Sequence, residues 1–150
     1  MGLETLTAIE ILREIREGRA SCEDVMQACL DRIEAREHEV GAFIYLDPEQ
    51  ALAKARAADR AGQKGAMHGV PFVIKDIIDT SEMPTGWGFA PYEGRQPENN
   101  ARCVEQFIEA GAIPLGKTVT TEMAFFQPGK TANPRNTAHT PGGSSSGTAA

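Results

Sequence analysis

From Val70 to Ile78 nearly every position is apolar, and the run is broken only by the charged pair Lys75-Asp76. Its β-branched residues lack a helical period, so it reads as a strand covered on both faces. Such a strand needs layers of other structure above and below it. The flanking sequence supplies them as alternating helix, strand and loop signals, the mark of an α/β layer architecture. Thr7 with Glu10 forms a capping box ahead of an apolar set at Ala8, Ile11, Leu12 and Ile15, and Gly18 closes that helix. A second helix restarts at Ser21 with Val25, Met26, Cys29, Leu30 and Ile33 on one face, which makes Cys29 a core residue and the pair an α-hairpin. Ala42–Leu46 reads as a short strand, and Pro48 opens an alanine-rich helix running to about Ala61. Ser81 to Asn100 is a long polar loop, of a length uncommon without a functional reason. A further helix carries Val104, Phe107 and Ile108, with asparagine before it as a cap and Gly111 after it, and Ala112–Leu115 is another short strand. The stretch from Gln127 to Ala150 is nearly all turn formers.

Composition narrows the class of partner. The 150 residues are 41% hydrophobic and 24% charged, the balance of a globular chain, and 15 basic against 21 acidic residues give a net charge of -6. Without a local Lys/Arg cluster, that charge argues against nucleic acid or an anionic membrane as partner. No stretch approaches membrane-spanning length, and Met1–Leu6 lacks the basic and apolar regions of a signal peptide. Cys22, Cys29 and Cys103 are odd in number and form no CxxC pair, so neither a disulfide framework nor a zinc site is indicated and a reducing, cytoplasmic setting fits. His38, His68 and His139 have no ligand spacing, so no metal is expected.

Two features carry chemistry. Lys75, among Phe72, Val73, Ile74, Ile77 and Ile78, can snorkel outward, pair with Asp76 or Asp79, or stay buried with a depressed pKa, and only the last makes a base. Neighbouring strand residues face opposite ways, which turns Asp76 away from Lys75. The run Pro141-Gly142-Gly143-Ser144-Ser145-Ser146-Gly147 is open to three readings: a flexible linker, a phosphate nest, or hydroxyls and amides crowded around one point. It lacks the P-loop lysine, which disfavours nucleotide binding.

Over nearly its whole length the chain resembles the N-terminal part of the amidase signature family. The resemblance is carried by His68-Gly69-Val70-Pro71-Phe72-Val73-Ile74-Lys75-Asp76, Met83-Pro84-Thr85-Gly86, Glu109-Ala110-Gly111-Ala112-Ile113-Pro114-Leu115-Gly116-Lys117-Thr118 and Thr121-Glu122-Met123. It continues through Asn133-Pro134-Arg135-Asn136 to His139-Thr140-Pro141-Gly142-Gly143-Ser144-Ser145-Ser146-Gly147. It implies the first portion of that fold, a mixed twisted sheet covered by helices on both faces and preceded by a helical hairpin. Residues 1–150 would then be an incomplete amidase domain, with 1–40 the hairpin, 41–150 the start of the α/β core, and the remainder beyond residue 150.

The resemblance further implies a Ser-cisSer-Lys triad in which Lys75 is the base and Ser144 the bridging serine, after a cis Gly143-Ser144 peptide. Met123, Phe125 and Phe126 match positions that often line the family's acyl pocket, although such a cluster is more often plain core, and Ser145 is a substrate-binding candidate. The substrate is a small carboxamide, no cofactor is implied, and a homodimer stays open. The nucleophilic serine and the oxyanion-hole amides belong to a later glycine-serine motif, expected downstream of Ala150, so the 150 residues alone are expected to be inactive. A glutaminyl-tRNA amidotransferase subunit of the same family is the alternative, ranked lower because its members usually carry a different segment after Gly116-Lys117-Thr118 than Glu122-Met123-Ala124-Phe125-Phe126. A non-catalytic interaction module is a third reading. Treating the chain with a serine-reactive fluorophosphonate is expected to leave it unlabelled, and an adduct on Ser144 would overturn the bridging role.

Overall fold

The computed structural model describes residues 2–150. Thr7 accepts the Glu10 amide at 3.3 Å while the Glu10 carboxylate takes the Thr7 amide at 2.7 Å, closing the capping box ahead of α1 (Ala8–Arg16). A reciprocal pair of the same kind starts α2 (Cys22–Val40): Ser21 Oγ accepts the Asp24 amide at 3.0 Å, and the Asp24 carboxylate accepts the Ser21 amide at 2.8 Å. Asp59, near the end of α3 (Pro48–Ala61), adds a second acceptor there, taking the amides of Cys22 at 2.8 Å and Glu23 at 3.1 Å. The first turn of α2 thus meets a carboxylate where its unpaired amides and positive dipole end favour one.

The strands are β1 (Phe43–Leu46), β2 (Pro71–Lys75) and β3 (Ile113–Thr118), in the sheet order β1-β3-β2. β1 runs antiparallel to β3, with Phe43 opposite Thr118, Tyr45 opposite Lys117 and Leu46 opposite Gly116, and an irregularity between Phe43 and Tyr45. On the other side, the Ile113 amide bonds to the Val70 carbonyl and the Asp76 amide to the Thr118 carbonyl. Partner numbers rise together there, so β2 is parallel to β3 and the sheet is mixed.

The expectation of one strand from Val70 to Ile78, buried on both faces, is corrected. β2 has five residues and lies at a sheet edge, and within it only Ile74 is buried. The Ile78 amide bonds to the Lys75 carbonyl at 3.0 Å, turning the chain after Lys75. The buried strand is β3, in which every residue except Pro114 is buried, because it has a partner on each side. Its polar end, Gly116-Lys117-Thr118, hid this from the sequence pattern.

The chain divides into two compact units, one of Met1–Ala35, Asp47–Phe72 and Glu105–Leu115, the other of Arg36–Leu46, Val73–Val104 and Gly116–Ala150. In the first, Ile11, Val25 and Val70 form a core onto which Leu6, Leu12, Ile15 and Met67 pack. Phe107, from α4 (Arg102–Glu109), stacks on Phe72 with ring centroids 5.1 Å apart. The main chains at 64–69 and 110–111 cross closely, with the Met67 amide on Ala110 and the Gly69 amide on Gly111. Gly111 has φ +93, and a Cβ there would collide with the Lys64 carbonyl, so glycine is required twice over.

Cys22 is fully buried, with Sγ 3.5 Å from Nε2 of the buried His68. Burial, assisted by Asp59, pushes its thiol up to about 12. Cys29 is only half-buried, less enclosed than its position in the helical pattern suggested.

In the second unit the long loop after β2 carries its own bonding network. Arg95 forks onto both oxygens of Asp79 at 2.8 Å, and the Gln96 side-chain amide reaches the carbonyls of Thr80, Ser81 and Met83. Asn100, expected as a helix cap, instead accepts from the Ser81 amide at 2.8 Å. From Gln127 onward the chain is mainly turns, ending in α5 (Ser146–Ala149). Among the described residues no helix is long and apolar enough to cross a membrane.

Replacing Asp59 by alanine removes two charged hydrogen bonds at one helix start. The expected cost is about 1 kcal/mol, read as a lower urea midpoint with an unchanged slope.

Candidate active site

β2 ends at Lys75, half-buried, and the turn that follows carries the chain away behind it. β3 continues through Val119, Thr120 and Thr121, all buried. These residues hold the glycine-serine run by its backbone. The Thr121 amide donates to the Ser144 carbonyl at 3.0 Å, Thr120 Oγ1 reaches the same oxygen at 3.2 Å, and the Gly147 amide donates to Val119 at 3.0 Å. Thr118 Oγ1 meets Thr148 Oγ1 at 2.8 Å. The run is therefore fastened along the end of β3, which excludes the linker reading of it.

With its carbonyl held on one side, Ser144 turns its hydroxyl to the other. Lys75 Nζ donates to Ser144 Oγ at 2.7 Å, and the Gly143–Ser144 peptide is cis. Burial lowers the Lys75 pKa below its usual 10.5. Asp76, next in sequence, is itself buried and faces away from Lys75, its carboxylate accepting the Gly86 amide. Its pKa is raised by burial, against the pull of Gly86 and of Lys117. Of the three fates open to Lys75, pairing with Asp76 is thus replaced by a hydroxyl partner in a partly desolvated setting.

Ser144 opens onto a cavity of about 470 Å³ whose wall includes Thr121, Phe125, Phe126, Pro128, Thr140 and Gly143. Phe125 and Phe126 are 70% and 83% exposed, so these aromatics are surface groups beside the serine rather than the plain core that composition favoured. Met123 is 51% exposed and borders a second opening with Glu122, Phe125 and Gln127. Ser145 is half-buried and precedes α5, where its carbonyl accepts the Ala149 amide. Lys75, Ser144 and Gly143 are therefore brought together, while Met123 and Ser145 lie outside the Ser144 cavity wall.

Three non-glycine residues near this region have positive φ: Trp87 at 61, Met123 at 48 and Ala124 at 59. Each left-handed residue costs of order 1 kcal/mol, and the Met123 amide bonding to the Trp87 carbonyl at 2.8 Å offsets part of it. Among the described residues no three His, Cys, Asp or Glu side chains gather as a metal site would need.

The residue missed by sequence reasoning is Lys117. It has no solvent exposure, and its ammonium donates to the Ile78 carbonyl at 2.8 Å and to Thr85 Oγ1. A lysine inside a strand that also carries Ile113 and Leu115 is the same signal that singled out Lys75, and it went unread because the strand was expected to end at Leu115. The structure also sets a test of how tightly the serine run is seated. A Cβ on Gly147 would collide with the Ala42 carbonyl and lie 2.7 Å from the Val119 nitrogen. Gly147→Ala is expected to cost about 1 to 3 kcal/mol in chemical unfolding.

A family model described as Amidase matches residues 24–150. The A subunit of the glutamyl-tRNA(Gln) amidotransferase of Lachnospira eligens is 39% identical over 162 aligned positions, which include 100% of this chain and 33% of the relative. Its counterpart in Acidothermus cellulolyticus is 40% identical, covering 96% of this chain and 30% of the relative. Among solved structures, the peptide amidase from Stenotrophomonas maltophilia superposes with a TM-score of 0.87 at 32% identity, covering 95% of this chain and 33% of that one. The chain thus spans about a third of the length of the curated relatives it matches, and by its family match and its mixed α/β architecture it belongs to the amidase signature family.

Proposed function

We propose that this chain supplies the base half of an amide-hydrolysing relay, with Lys75 as general base and Ser144 as bridging serine. The single observation that carries the reading is the 2.7 Å contact between Lys75 Nζ and Ser144 Oγ, made by a lysine whose pKa burial lowers. As a neutral amine, Lys75 takes the Ser144 hydroxyl proton, while Ser144 takes the proton of a nucleophilic serine supplied from outside residues 1–150. That serine's oxygen bonds to the amide carbonyl carbon. The C–N bond then breaks, and the protons return through Ser144 to the leaving amine. Water, deprotonated through the same groups, releases the acid and restores the serine.

In this reading the exposed Phe125 and Phe126 lie beside the reacting centre, where an apolar acyl group would shed water. Met123 and Ser145 would contact substrate only if it extended past the Ser144 cavity. The carboxamide is small, the setting cytoplasmic, and no metal or cofactor takes part.

A second reading has a specific support, the relatives 37% to 40% identical over nearly the whole chain that bear the name of an amidotransferase component. On that reading the amide is glutamine, and the ammonia passes to a partner protein. The two differ in what the purified protein does by itself: the hydrolase turns over simple carboxamides alone, and the amidotransferase component needs its partners.

The test of the relay is Lys75→Ala in the intact enzyme. Turnover is expected to fall by about 10² to 10⁴-fold with the circular dichroism spectrum unchanged. Because the active base is the neutral amine, turnover in the unaltered enzyme should climb as pH rises through the Lys75 pKa, which lies below 10.5. A flat profile over that range would assign the base elsewhere.

A further inference from the structure

Lys117 is a buried ammonium with an unusual number of partners, all in the segment that follows β2. It donates to the Ile78 carbonyl at 2.8 Å and to the hydroxyls of Thr85 and Thr80, and it lies 3.8 Å from Asp76 Oδ1. Asp76 is fixed from every side. Its amide bonds to the Thr118 carbonyl at 3.0 Å, its carbonyl takes the Trp87 amide at 2.9 Å, and its carboxylate takes the Gly86 amide. A buried ion pair seldom adds more stability than apolar residues of the same volume, so its use is sought in the geometry it specifies.

That geometry is informative. Asp76 directly follows Lys75, the last residue of β2, and Lys117 stands on β3 shortly before the residues that hold the Ser144 carbonyl. The Asp76–Lys117 pair therefore fastens together the two strands that carry the two ends of the Lys75–Ser144 contact. We propose that Lys117 is a positioning residue for Lys75: through Asp76 it fixes the end of β2 against β3 and so keeps Nζ within bonding distance of Ser144 Oγ. The proposal rests on the relay reading for its importance to catalysis, but the positioning itself is measurable without turnover.

The charges facing Lys117 are Asp76 and Asp79, which favour its charged form, and Arg95, which opposes it; burial outweighs them and lowers its pKa to about 8. Lys117 thus titrates below an ordinary lysine, and on this proposal its loss of charge loosens the hold of Asp76 on the end of β2 that carries Lys75. The experiment is competitive acetylation of the intact protein with acetic anhydride from neutral to alkaline pH, with each lysine read by peptide mass spectrometry. In the unaltered protein the Lys75 profile should carry a second inflection where Lys117 titrates. In Lys117→Met the Lys75 midpoint should move up toward 10.5, as loss of the pair lets water reach the amine.

The double variant Asp76→Asn/Lys117→Met removes the orphaned carboxylate and separates positioning from stability. Its unfolding midpoint should recover while the Lys75 midpoint stays displaced. An unchanged Lys75 midpoint in Lys117→Met, or one restored in the double variant, overturns the proposal. If Lys117→Met fails to fold, the second inflection in the unaltered protein decides, and its absence counts against coupling. Should Lys75→Ala retain turnover while the Lys75 midpoint still follows Lys117, the relay reading falls and the positioning stands.

Discussion

The carbonyl of Ser144 accepts two hydrogen bonds, from the Thr121 amide and the Thr120 hydroxyl, and the arrangement of the site depends on them. A glycine-rich chain has few side chains with which to seat itself, and ordering glycine costs more backbone entropy than ordering any other residue. Each bond returns about 1 kcal/mol. With the Gly147 amide on Val119, they extend the register of β3 into the run and orient the Ser144 hydroxyl without engaging it. The functional atom is left for Lys75 because the backbone is held instead.

The C-terminal half of β3, residues 116–118, is therefore the organising element of the second unit. It belongs to the central strand, it carries the buried lysine, and its continuation supports the serine run. The loop after β2 is attached to it through Lys117, which is why so polar a segment stays ordered. Gln96 and Asn100 bond backbone groups of the loop locally, and Arg95 pairs with the Asp79 carboxylate. The three left-handed residues lie where this loop meets the end of β3, so the strain falls on segments whose backbone bonds are already made.

Much of this was legible in the sequence where one residue type has one use. Thr7 with Glu10, Pro48 and Gly111 after α4 mark element ends through local chemistry, and α3 runs from Pro48 to Ala61 as read. The Lys75 and Ser144 pairing came from the family resemblance alone, since nothing local connects residues 69 positions apart. What escaped depends on tertiary partners. β2 was overextended because an apolar run does not reveal that its strand has a neighbour on one side only. β3 was cut short at Leu115 because a fully buried Lys117 breaks the apolar pattern, although the oxygens of Ile78, Thr80, Thr85 and Asp76 around it make its burial tolerable. The exposure of Phe125 and Phe126 likewise follows from where the chain turns, which their own chemistry does not specify.

Cys22 has a use that has nothing to do with catalysis. Burial pushes its thiol up to about 12, so thiolate is scarce at neutral pH, and the sulfur is shielded from solvent as well. Alkylation of Cys22 must wait until α2 parts from the segment around His68, whereas Cys103 is exposed from the start. The chain thus carries a built-in clock for local opening: the rate at which Cys22 becomes labelled, set against Cys103, measures how often the first unit breathes.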